Sequence, residues 1–129
     1  MTTDPNSEIQ RARALHDKIP LIDGHNDLPW QYRKVADNAL SKIDIAQHQP
    51  GLHTDIPRLR EGGVGGQFWS VYIPQALPKG EHVRATMEQI DVVYNMIRQW
   101  PDTFQLSLTA DDVEAAFDSG KIGSLIGIE

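Results

Sequence analysis

An imidazole and a carboxylate one residue apart, His25-Asn26-Asp27, form the sharpest chemical signal in the chain. On an extended strand, residues i and i+2 project to one face, so the two side chains would converge on one point. Both are donors suited to Zn²⁺ or a similar divalent ion. The local alternative is that Asp27 caps a helix opening at Leu28-Pro29-Trp30 while His25 sits in a turn. Glu129 is the next candidate, because it ends the otherwise apolar segment Ile122 to Ile128. A buried carboxylate without a partner costs several kcal/mol, which asks for a metal; alternatively the strand has emerged into solvent there. Asp23, two residues before His25, either holds the imidazole by a hydrogen bond or serves as a cap or turn residue. Trp30 and Tyr72 lie near expected strand ends, where an aromatic ring either flanks a substrate or packs in the core.

Other chemistries find less support. The chain has no cysteine, which removes disulfides, thiolate metal sites and a thiol nucleophile. No Gly-x-Ser-x-Gly elbow is present. Gly62-Gly63-Val64-Gly65-Gly66 matches neither phosphate-binding glycine pattern and precedes a strand rather than a helix, so close backbone packing explains it better. His16, His48, His53 and His82 fall on expected helices or loops without paired ligand spacing and read as surface or loop histidines.

The elements that must position these residues can be read from the pattern. Ser7 and Gln10 have capping-box spacing ahead of a helix over Glu8 to Lys18, which Pro20 ends. Leu21-Ile22-Asp23 delivers the chain into Gly24-His25-Asn26-Asp27, and Leu28 to Ala36 suits a short helix with Pro29 in its first turn. Residues 37 to 53 lack periodicity and read as loop. Thr54 is placed to cap a helix over Asp55 to Glu61, with Gly62-Gly63 as its stop. Val64 to Ile73 is rich in aromatic and β-branched residues and predicts a strand. Val83, Met87, Ile90, Tyr94, Ile97 and Trp100 recur at steps of three and four, which predicts a long helix with one apolar stripe. Phe104-Gln105-Leu106 suits a short strand. Thr109 caps a further helix with Asp111 and Asp112 in its first turn and Gly120 at its stop. Ile122 to Ile128 reads as a strand buried on both faces. This alternation predicts an α/β fold with a parallel sheet. A terminal strand of this kind would expose a long apolar edge, which predicts that the 129 residues are the front portion of a larger domain.

Composition sets the remaining bounds. Hydrophobic residues make up 40% and charged residues 23%, as in globular proteins, and the net charge of −6 gives no footprint for nucleic acid or an anionic membrane. No apolar run approaches the roughly 20 residues that span a bilayer. Met1 to Ser7 lacks the basic and apolar regions of a signal peptide, so a cytoplasmic location is the default expectation.

Three blocks carry a resemblance. Asp23-Gly24-His25-Asn26-Asp27-Leu28-Pro29-Trp30, then Gly65 to Tyr72 (GGQFWSVY), then Gly127-Ile128-Glu129 resemble, in order and separation, the renal or membrane dipeptidase family of zinc peptidases. The similarity runs over essentially the whole chain, which would be about the first third of a family member. It implies a (β/α)₈ TIM barrel of the amidohydrolase superfamily, of which this chain supplies the first few β/α units as the N-terminal portion of one domain. It implies two Zn²⁺ ions, with His25 and Asp27 ligating the first and Glu129 bridging both as the catalytic residue that positions them. Such a pair can hold a hydroxide as nucleophile and polarise a peptide carbonyl. Two histidines completing the second site, and a further histidine, arginine and aspartate, would lie beyond Glu129. Trp30 and Tyr72 would sit near the substrate, a small dipeptide, often with a D-residue at its carboxyl side. No nucleic acid or membrane partner is implied, and a homodimer is left open. Mammalian relatives are secreted, disulfide-bonded and lipid-anchored; the absent cysteines point instead to a soluble microbial enzyme. Two alternatives remain: another amide or lactone hydrolase on the same barrel, or a non-catalytic binding module.

Overall fold

Two glycine-punctuated, apolar segments build the centre of the sheet. The computed structural model describes residues 5–129. Its elements are α1 (Pro5–His16), β1 (Leu21–Asn26), α2 (Leu28–Ala36), a single 3₁₀ turn (Leu40–Lys42), α3 (Ile56–Glu61), β2 (Val64–Val71), α4 (Glu81–Gln99), β3 (Phe104–Leu106), α5 (Ala110–Asp118) and β4 (Ile122–Ile128). All four strands are parallel, in the order β1-β2-β4-β3, so the expected α/β architecture is found. β2 and β4 share an unbroken ladder from Gly66 opposite Gly123 to Val71 opposite Ile128. β3 pairs only with Ile122–Ser124 and lies outside β4. A three-residue strand could not satisfy the backbone groups that the long β2–β4 ladder satisfies, so it is left at the edge.

The core lies between the sheet and helices α2 and α4. Trp69, Val71 and Ile122 from the strands meet Leu28 and Tyr32 of α2 and Val92, Val93 and Met96 of α4. Trp69 and Phe104 pack edge to face with ring centres 5.5 Å apart. The glycine run works as packing: a Cβ on Gly65 would lie 2.6 Å from the Pro20 Cβ, and one on Gly66 2.6 Å from Ile22 Cδ1. Thr109 and Asp112 form a reciprocal capping box at the start of α5, and Gly120 follows that helix with φ +75°.

Several local expectations are corrected. Among the described residues α1 covers Pro5–His16, which places Ser7 inside the helix instead of at its cap, and it ends at His16 rather than Lys18. On α4 the buried residues are Ala85, Gln89, Val92, Val93 and Met96, while Val83 and Met87 are exposed. Ile90, Ile97 and Trp100 pack only on the flank of that face. The true stripe was concealed because it contains a small residue and an amide. Gln89 is buried there with its Nε2 donating to Asn38 Oδ1 at 3.1 Å. Finally, α3 is capped by Asp55, not Thr54.

Asp55 also organises the loop that leads into α3. It is wholly buried and accepts hydrogen bonds from the amides of Gln49 and Arg58 and from Arg58 Nε, at 2.8–2.9 Å, with His48 Nδ1 at 3.0 Å. The same guanidinium donates to the carbonyls of Gln49 and Leu52. Burial alone would raise the Asp55 carboxyl, but the Arg58 side chain and the two amides outweigh it and hold the group well below the usual carboxylate range. A depressed folded-state value means that the contribution is complete above the ordinary 3.8 and is lost as pH falls below it. Asp55→Ala is therefore expected to cost roughly 1–3 kcal/mol at neutral pH, since it leaves the Gln49 and Arg58 amides without their acceptor. Urea melts of the two proteins between neutral pH and pH 3 should converge toward the acid end; a pH-independent difference would contradict the assignment.

Candidate metal centre

The carboxyl ends of β1 and β4 bring three separated side chains together. His25 Nε2 lies 3.2 Å from Asp27 Oδ1 and 3.6 Å from Glu129 Oε2. Donor atoms of the three residues all fall within 4.8 Å of one another, and each side chain is about half exposed. In parallel α/β sheets this end is where ligand sites gather. Among the described residues, it is the one such cluster of histidine and acidic groups.

Regular strand alternation does not produce the His25–Asp27 convergence. The ladder runs from Asp23 opposite Gln67 to Asn26 opposite Trp69, so β1 uses three steps where β2 uses two. That extra residue is a bulge, a feature that re-aims side chains beside active sites. Asp27 then lies past the strand, with φ −85° and ψ 17°, at the N-cap position of α2. Its side chain makes no capping hydrogen bond. Asn26 does that work instead, its Oδ1 accepting from the Leu28 amide at 3.0 Å. The alternative in which Asp27 is spent on capping is thereby removed, and its carboxylate is left for His25. Asp23 takes the turn role: its Oδ1 accepts from the backbone amide of His25 at 3.2 Å, not from the ring.

Glu129 is placed by the regular half of the sheet. Its amide donates to the Val71 carbonyl at 3.2 Å, continuing the β2–β4 ladder. Ser70 is opposite Gly127, so Glu129, two residues on, shares its face. The buried Ser70 hydroxyl donates to Glu129 Oε2 at 2.8 Å. Glu129 has thus partly emerged into solvent, yet it remains held.

Two clefts open onto the cluster. One of about 440 Å³ runs along His25, Asn26, Asp27, Leu28, Gln31, Leu52, His53 and Thr54. A smaller one of about 240 Å³ is lined by Gly24, His25, Ser70, Gly127 and Glu129 among others. His53 was read from the sequence as an ordinary loop histidine, and nothing in its spacing distinguishes it; the fold of the 44–55 loop carries it to the cleft. Trp30 and Tyr72 line neither cleft. They pack edge to face on each other, ring centres 5.1 Å apart and planes at 88°.

The donor set fits a divalent cation. One imidazole and two carboxylates, converging and accessible from two clefts, match the ligands that Zn²⁺ takes where thiolates are absent.

The chain is similar in sequence and fold to known peptidases. The family model described as membrane dipeptidase, peptidase family M19, matches residues 9–129. Dipeptidase ataJ of Aspergillus terreus is 44% identical over 139 residues, covering 100% of this chain and 34% of the relative. The probable dipeptidase PvdM of Pseudomonas aeruginosa superposes with a TM-score of 0.77 at 16% identity, covering 97% of this chain and 32% of that one. A metallo peptidase of Rhodobacter sphaeroides, solved with a phosphinate mimic of the dipeptide L-Ala-D-Ala, superposes with a TM-score of 0.67 at 22% identity, covering 86% and 38%. These structures are of the TIM-barrel type, and the parallel sheet of this chain corresponds to part of one. The chain spans about a third of the length of the curated relatives it matches.

The edge-to-face pair yields a prediction of its own. A double-mutant cycle with Trp30→Leu and Tyr72→Leu is expected to return a coupling of about 0.5–1.5 kcal/mol in unfolding free energy. Strict additivity of the two substitutions would show that the rings do not support each other.

Proposed function

The chain belongs to the membrane dipeptidase family, peptidase family M19, and from that premise we propose that it is part of a zinc-dependent dipeptidase. The observation that carries the reading is the convergence of His25, Asp27 and Glu129 at the carboxyl end of the sheet, with Asp27 free of any capping duty. His25 and Asp27 would hold one zinc ion, and Glu129 would be shared between that ion and a second. The remaining donors come from strands outside these 129 residues, which form the N-terminal portion of a single barrel domain. Bound zinc supplies a water of lowered pKa and polarises the scissile carbonyl.

What this chain contributes is positioning. Ser70 fixes the rotamer of Glu129 through its hydroxyl, so the carboxylate meets the site without losing its orientation to solvent. The larger cleft beside His25 and Asp27 offers the room for a small polar substrate, with Gln31 and His53 as hydrogen-bonding groups along its wall. A dipeptide is the substrate class, supported by the names of the relatives and by the dipeptide mimic bound to the Rhodobacter peptidase.

The full-length protein, loaded with zinc, is expected to hydrolyse Ala-Ala in its L,L or L,D form and to lose activity on dialysis against a chelator. Asp27→Ala should lower kcat/KM more than the 10–100-fold typical of changes around a metal site, while leaving the far-ultraviolet circular dichroism intact. Retained activity in that variant would remove Asp27 from the site, and cleavage of amides or lactones in preference to dipeptides would move the protein to another hydrolase class.

A further inference from the structure

Between Asp23 and Asn26 β1 takes three steps where β2 takes two, from Gln67 to Trp69, and the slack falls at Gly24 and His25. A bulge leaves backbone groups without ladder partners, and something must satisfy them. The side chain of Gln67 lies there, wholly buried. Its Nε2 donates to the Asp23 carbonyl at 3.3 Å, on the near side of the bulge, and to the Phe68 carbonyl at 3.1 Å. Its Oε1 accepts from Asn26 Nδ2 at 3.4 Å, on the far side. One carboxamide therefore spans the irregular segment from Asp23 to Asn26, which contains His25.

The far end of this bridge is clamped a second time. Asn26 Nδ2 lies 3.0 Å from Thr54 Oγ1, and Thr54 Oγ1 lies 3.2 Å from Asn26 Oδ1, the same oxygen that accepts from the Leu28 amide. Asn26 is thus held from the sheet by Gln67, from the loop by Thr54 and along the chain by Leu28. Its neighbours on either side are His25 and Asp27. Among the described residues none of these three side chains is hydrogen-bonded to His25, Asp27 or Glu129, so they act on the cluster through the backbone.

We propose that Gln67, with Thr54, is a positioning residue for the metal pair: by bridging the β1 bulge through Asn26 it sets the angle at which His25 and Asp27 converge. This rests on the metal reading above and adds to it the residues that preorganise the ligands. Partners of this kind are commonly worth 10–100-fold in metal affinity.

The test uses the full-length protein with Zn²⁺ and Co²⁺ as probes. Gln67→Leu removes both ends of the bridge at similar volume, and Thr54→Val removes only the outer clamp and keeps the shape of the side chain. Competition with a chromophoric chelator should show Zn²⁺ bound 10–100-fold more weakly by Gln67→Leu and less severely weakened in Thr54→Val. The visible absorption bands of bound Co²⁺ should change in position or intensity in both, a readout that mere loss of fold stability does not move. Thermal melts of the metal-free proteins separate that stability loss. Wild-type affinity and wild-type Co²⁺ bands in both folded variants would overturn the proposal. Should Gln67→Leu not fold, unchanged binding and bands in Thr54→Val alone would overturn it. Failure of the unmutated protein to bind Zn²⁺ would instead overturn the metal reading itself.

Discussion

Two carboxylates and an imidazole cannot be brought together at the open end of a sheet without electrostatic consequence. Asp27 and Glu129 both reach the same histidine, and their donor atoms lie within 4.8 Å of each other. Like charges about 4 Å apart repel by about 1 kcal/mol in bulk water and about 4 kcal/mol at the effective dielectric of a protein surface. Half-exposure keeps this side chain trio nearer the first figure. A cation between them would convert the repulsion into attraction, which is what suits the arrangement to a ligand set. The surrounding structure is organised to hold that geometry: Ser70 on Glu129, the Asn26 network on the segment between the other two.

The two halves of the site are built on opposite principles. Glu129 arrives by regularity, since β4 runs in register with β2 for six residue pairs and its side chain orientation follows from the pleat. His25 and Asp27 arrive by irregularity, through a bulge and a turn that must be paid for with buried hydrogen bonds. This explains why a buried polar residue sits on β2 at all. Gln67 in a core of Trp69, Val71 and Ile122 would be a liability without partners; here its carboxamide is matched to backbone and side-chain groups that the bulge would otherwise leave unmet.

Much of this was legible in the sequence, and the misses have identifiable causes. The α/β alternation, the short strand at Phe104–Leu106, the Thr109 cap and the packing glycines all follow from local chemistry, and the structure contains each. The residues of the candidate site could be nominated from type and spacing, but spacing gave the wrong reason for His25 and Asp27, because period-two alternation assumes an unbroken ladder. A bulge is a relation between two strands and leaves no mark in one. The Asp55–Arg58 clip, the position of His53 and the role of Gln67 are likewise long-range facts. On α4 the apolar periodicity favoured Val83 and Met87 over Ala85 and Gln89, since pattern reading weighs side-chain hydrophobicity and cannot see that Asn38 supplies a partner for the glutamine.

The clip and the site are neighbours in the chain, and that adjacency links stability to function. Asp55 turns inward to gather Gln49, Arg58 and the start of α3, while Thr54, one residue earlier, turns to Asn26. A hydroxyl can hold an asparagine only as firmly as its own backbone is held, and here that backbone precedes a wholly buried, multiply bonded carboxylate. The loop from Asp44 to Asp55 therefore serves as a brace: Tyr32 secures its beginning through a 2.7 Å hydrogen bond to the Ile43 carbonyl, and Asp55 secures its end. Between these anchors lie Leu52 and His53, which wall the cleft beside the cluster. The cleft wall and the Thr54 clamp on Asn26 therefore both hang on a loop that Asp55 closes, although Asp55 has no hydrogen bond to any of the three donor residues.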